Sequence, residues 1–103
     1  MKNSIEQIQK EFIEIMTENG FEGTGEASCN GDAIFAREWT QTVDLAWYGP
    51  KTSTLKITAY LSYGFPMINI YHNGRREDAR DYSSPKRAIN AIKEIIRCKG
   101  YEF

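Results

Sequence analysis

The segment STLKITAYLSYGFPMINIYHNGRREDARDY, residues 53–82, decides the fold. Leu55, Ile57, Ala59, Leu61 and Tyr63 fall on one side of an extended chain, and Thr54, Lys56, Thr58, Tyr60 and Ser62 on the other. Strand side chains alternate between faces, so this period of two describes a half-buried antiparallel strand. Gly64-Phe65-Pro66 turns the chain, and MINIYH then points Ile68 and Ile70 inward. Asn73-Gly74 suits the positive φ angles of a two-residue hairpin, so the polar stretch REDARDY is expected to pair back along MINIYH as an edge strand.

Upstream, TVDLAWY alternates in the same way, with Val43, Leu45 and Trp47 expected inward, Thr42, Asp44, Ala46 and Tyr48 outward, and a turn at Gly49-Pro50-Lys51. AIFAREW is a short strand before it, and Thr24 to Cys29 a shorter one. Gly23, Gly25 and Gly31 match neither the dinucleotide-binding nor the P-loop spacing, so they belong to a structural loop.

Helices flank the strands. Ser4 with Gln7 forms a capping-box pattern, and Ile5, Ile8, Phe12, Ile15 and Met16 share one helical face, so a helix is expected from Ile5 to Asn19, closed by Gly20 and Phe21. Ser84-Pro85 opens a second helix that turns Ala88, Ile89, Ile92, Ile95 and Ile96 to the core and ends at Gly100, with Tyr101 folding back on Ile96. The expected fold is α+β. It is a two-layer sandwich in α-β-β-β-β-α order, with four to five antiparallel strands and both helices on one sheet face, forming a single domain over residues 1–103.

Composition agrees with one core. Among 103 residues, 12 isoleucines and 13 aromatics supply apolar surface enough to fold without disulfides or a structural metal. No apolar run is long enough for a membrane span, and the N-terminus is polar, so neither a membrane nor export is expected. Cys29 and Cys98 show neither zinc-site nor thioredoxin-type spacing, which points to a reducing, cytoplasmic setting. The net charge is -1, yet it is unevenly spread: residues 1–48 carry three basic and nine acidic residues, residues 72–103 eight basic and five acidic. Such a dipolar surface can orient a charged partner.

No reaction constellation emerges. His72 is the single histidine, no serine sits in a GxSxG elbow, and Ser83 and Ser84 are explained by helix capping. Glu77, Asp78 and Asp81 are interleaved with Arg75, Arg76 and Arg80, a mixture that reads as edge-strand ion pairs rather than free metal ligands. The expectation is therefore a chain with no catalytic residue, no metal and no cofactor.

The sheet face opposite the helices is the strongest candidate for function. By parity it displays Tyr48, Lys56, Thr58, Tyr60, Asn69 and Tyr71, with Arg75, Arg76 and Arg80 near one edge. Tyrosine and arginine are the residues enriched where proteins meet, and tyrosines can equally stack single-stranded bases. A second candidate is the acidic surface of Glu11, Glu14, Glu18 and Glu22, to which Glu6 and Glu26 also belong.

Two stretches carry partial resemblances. INIYHNG through SSPKRAINAIKEII resembles the last part of a double-stranded-RNA-binding domain, which implies that Lys86 and Arg87 touch phosphates while Ala88 and Ala91 pack. Tyr71, His72, Arg75 and Arg80 resemble the set used by small ribonuclease toxins that cleave ribosome-bound messenger RNA. In size and acidic character the chain also resembles accessory proteins of phages and mobile elements, including anti-CRISPR inhibitors of bacterial immune nucleases. The expected function is a non-enzymatic protein-binding domain that covers a surface of a larger cytosolic protein or nucleoprotein. The alternatives are a nucleic-acid-binding module using the basic region 75–87, and a toxin-like ribonuclease. Pairing with its own copy, through the uncovered face or a sheet edge, is open to the same chain.

Overall fold

The computed structural model describes residues 5–27 and 33–103. The order is α1 (Ile5–Glu18), β1 (Glu22–Ala27), β2 (Ala33–Leu45), β3 (Gly49–Ser62), β4 (Phe65–His72), β5 (Arg75–Asp81) and α2 (Pro85–Cys98). The five strands form one antiparallel meander in the order β1-β2-β3-β4-β5, with both helices on one face. This is the expected two-layer α+β arrangement.

Both helices end the same way because the same residue types follow them. Gly20 takes φ +83°, which lets its N–H reach the Thr17 carbonyl at 3.2 Å and the Phe21 N–H reach the Met16 carbonyl at 2.9 Å. Gly100, also at φ +83°, repeats this with Arg97 and, through Tyr101, with Ile96, each at 3.0 Å. This paired closure satisfies carbonyls that a helix otherwise leaves open. Ser84 caps α2, its hydroxyl accepting the Arg87 N–H at 3.2 Å. Ser4 and Cys29 lie outside the described residues.

One core runs between sheet and helices. Phe12 and Met16 of α1, Phe35 and Trp39 of β2, Leu55, Ile57, Ala59 and Leu61 of β3, Ile68 and Ile70 of β4, and Ile89, Ile92 and Ile96 of α2 are all buried in it. The register sets Phe35 opposite Ala59, Ile57 opposite Ile70 and Ala59 opposite Ile68, so the apolar rows meet across the sheet as the alternation requires. At the Asn73-Gly74 hairpin both residues take positive φ, and Asn73 clasps Thr54 of the neighbouring strand by donating its N–H to the carbonyl at 2.8 Å and accepting the amide on Oδ1 at 3.0 Å.

Six expectations are corrected. Gly23 and Gly25 lie in β1 rather than in a loop. The turn after β3 is at Tyr63-Gly64, so Phe65 and Pro66 already belong to β4. The two candidate strands AIFAREW and TVDLAWY are one 13-residue strand, β2. The turn after it lies at Ala46–Tyr48, and Gly49-Pro50-Lys51 already belongs to β3. Tyr63 is not part of the inward row: it sits in the β3–β4 turn at φ 52° and is exposed. Val43, Leu45 and Trp47 are not inward either, because β2 and β3 run on past the rest of the sheet. β1 ends at Glu22 opposite Ala36 and β4 ends at His72 opposite Leu55, while Thr40–Leu45 remains paired with Gly49–Thr54. These six pairs form a two-stranded arm of about 20 Å. The long axis of the molecule measures 60 Å against 23 and 21 Å for the others.

Candidate functional site

Among the described residues, the face away from the helices carries no layer. Across it Lys56, Thr58 and Tyr60 of β3 stand beside Tyr71, Asn69 and Met67 of β4, each pair in register. Lys56, Thr58, Tyr60, Asn69 and Tyr71, with Glu26, Ile34, Glu38 and Thr54, line a groove of about 550 Å³. Thus five of the expected residues, Lys56, Thr58, Tyr60, Asn69 and Tyr71, are brought together. They come together because the even positions of β3 and the odd positions of β4 share the face opposite the core.

The arginines do not gather there as a group. Arg76 pairs with Tyr71 and so lies at the edge of the open face. An irregularity in the β4–β5 register between Ile70 and Tyr71 separates it from Arg80, which pairs with Ile68 on the helix side. Arg80 is held there by Asp78, Nε to Oδ2 at 2.7 Å, which keeps the Asp78 carboxyl below its ordinary range and the guanidinium above its own. Arg75 pairs with His72 at the hairpin. Tyr48 is also absent from the face, since the arm carries it to the tip.

Charge on the open face is acidic at the β1–β2 end. Lys56 stands directly opposite Glu38, and Glu22 pairs with Ala36 beside it. Among the described residues Glu22, Glu26 and Glu38 form no ion pair. Glu11, Glu14 and Glu18 are exposed on α1. Lys86 and Arg87 are exposed in the first turn of α2.

His72 is oriented but not aimed at a nucleophile. Its Nδ1 meets Glu77 Oε1 at 3.0 Å, and Glu77 Oε2 accepts Lys99 Nζ at 2.9 Å. The Lys99 ammonium, with His72, draws the Glu77 carboxyl below its usual value. Among the described residues no hydrogen bond joins the imidazole to a hydroxyl or thiol, and no group of acidic, cysteine and histidine side chains is placed to hold a metal.

Sequence reasoning missed the arm. Trp47 is 92% and Tyr48 88% exposed at its tip, and Val43 and Leu45 are uncovered along one side. At its root Trp39, Thr40, Gln41, Gly100, Tyr101 and Glu102 border a concavity of about 420 Å³. Trp39 is buried there, and its indole N–H has no acceptor among the described residues.

No protein-family model, no curated protein and no solved structure matches this chain. No helix among the described residues is long and apolar enough to cross a membrane.

Proposed function

We propose that the chain is a non-enzymatic protein-binding domain that covers a surface of a larger protein or nucleoprotein in the cytoplasm. The observation that carries this reading is the uncovered groove of Lys56, Thr58, Tyr60, Asn69 and Tyr71, set on a sheet whose other face is packed by both helices. Tyrosines on a rigid strand offer contact area at little entropic cost, and the polar residues between them supply hydrogen bonds. Glu22, Glu26 and Glu38 at one end, which form no ion pair among the described residues, favour a partner surface that is basic. A phage-type inhibitor that occupies the basic groove of a nuclease is the specific form of this reading.

Nucleic-acid binding is less well supported by the same geometry. Arg80 is engaged by Asp78 on the other side of the sheet and Lys99 is engaged by Glu77, so these cations do not join Lys56 in one phosphate-tracking row.

The test is capture of the tagged chain's partner from host lysate with and without nuclease treatment. A single stoichiometric protein that survives nuclease is expected, and the Tyr60→Ala/Tyr71→Ala variant should bind it at least about 30-fold more weakly. Equal capture by a folded double variant, or recovery that disappears with the nucleic acid, would overturn the proposal.

A further inference from the structure

The arm leads to a second inference, independent of the open face: we infer that two copies of this chain associate through their arms, each tip packing against the root of the other. A two-stranded ribbon is marginally stable in water unless its apolar side packs on something. Here the row that is buried at Trp39 continues outward through Gln41, Val43 and Leu45 with no helix over it among the described residues.

The two outer edges of the arm differ. On β3, Pro50 has no N–H to offer and Thr54 is already engaged by Asn73. On β2, Thr40–Leu45 has no strand beside it among the described residues, contains no proline, and carries a single charge, Asp44. Natural edges that must stay unpaired are blunted by proline, lysine or bulges, and this one is not. The occupant with matching geometry is the same strand of a second copy.

A twofold axis at Thr42 runs the two β2 edges antiparallel. It sets Leu45 of one copy against Trp39 of the other and Val43 against Gln41, and it places Asp44 against Thr40 rather than against its own copy. The tip beyond Leu45 then arrives at the partner's root, where Trp39, Gln41, Gly100 and Tyr101 border the concavity. Such a contact is isologous and closed, so it stops at a dimer.

The area is of the right order. A buried aromatic covers about 150–250 Å². Four nearly bare rings, two per copy, therefore supply roughly 540–900 Å² before Val43, Leu45 and the strand backbones are added, against the 1,200 Å² or so at which specific interfaces begin.

Sedimentation of the full chain over a concentration series tests this, read together with tryptophan fluorescence. The expected result is a dimer of twice 11.8 kDa. Its formation should shift the emission of Trp47 to the blue as concentration rises. Each dimer buries Trp47 twice, so Trp47→Ala should weaken it about 10³-fold, while circular dichroism shows the fold unchanged. Tyr60→Ala/Tyr71→Ala, on the open face, should leave the dimer intact. A chain that stays monomeric throughout would overturn the inference, as would a dimer indifferent to Trp47→Ala. A monomer whose Trp47 is instead needed to bind a different protein or a lipid vesicle would also overturn it and reassign the arm.

Discussion

Replacing Arg37 by alanine should destabilise this domain more than any other change to a charged residue. Its guanidinium donates to the Asn19 carbonyl at 2.7 Å, where α1 ends, and to the carbonyl of Phe103. It also lies 4.7 Å from the centre of the Trp39 ring and 4.5 Å from that of Phe103. One half-buried side chain thus ties the end of α1, strand β2 and the C-terminal segment together. A hydrogen bond from a charged donor contributes about 1.5–3 kcal/mol and a partly exposed cation–π contact about 0.5–1 kcal/mol. Water reaches the site once the side chain is gone, so the net cost of Arg37→Ala is about 2–4 kcal/mol, or roughly 10–25 °C in Tm for a domain of this size. Gly20 supplies an internal control, because a Cβ there would stand 3.2 Å from the Arg37 guanidinium at a φ of +83°. Gly20→Ala should cost about 1–2 kcal/mol for the backbone alone. It should cost about 0.5–1 kcal/mol more in the presence of Arg37 than in the Arg37→Ala background. Urea unfolding of the four proteins measures the cycle. Less than about 1 kcal/mol for Arg37→Ala, or an identical cost of Gly20→Ala in both backgrounds, would refute the clamp.

The β4–β5 hairpin and the acid limb of stability give two further tests. Asn73→Ala removes a residue that tolerates φ 52° and the Oδ1 acceptor of the Thr54 amide, and should cost about 1–2 kcal/mol in the same unfolding assay, with faster amide exchange at Thr54. Glu77 and Asp78 both ionise more readily folded than unfolded, through Lys99 and Arg80 respectively. The unfolded chain therefore binds more protons, so their contribution is fully present above the ordinary carboxylate pKa of about 4 and fades as pH falls through the lower folded values. Glu77→Gln should thus narrow its gap from the parent protein as pH drops below about 4, and a gap that widens there would contradict the assignment.

How much of this was readable in advance depended on whether a local rule sufficed. The two helix ends, the Ser84 cap and the Asn73-Gly74 hairpin followed from residue types that act within a few positions, and all appear as expected. The pairing of Lys56, Tyr60, Asn69 and Tyr71 on one face followed from strand parity, a rule that holds for as long as a strand continues. Arg80 escaped it because a shift in the β4–β5 register interrupts the count between Tyr71 and Ile70. The Arg37 clamp was hidden for another reason: its partners Asn19 and Phe103 lie 18 and 66 residues away in sequence.

The arm shows where parity stops being enough. Val43 and Leu45 do stand on the same side of β2 as buried Trp39, so the alternation identified their side correctly. Burial, though, needs a layer on top, and a 14-residue helix is only about 21 Å long. A 13-residue strand spans about 43 Å. Two helices of this length can cover the half of β2 and β3 that is also flanked by β1 and β4, and no more. The rest of the apolar row is left without cover whatever its sequence, and the strand continues because Thr40, Thr42, Val43, Thr52 and Thr54 are good strand residues even in water. The Thr42 and Thr52 hydroxyls, 3.2 Å apart across the ribbon, add to that. The ribbon is therefore held by its own pairing and unpacked on its apolar side, and that is the surface the inferred dimer would cover.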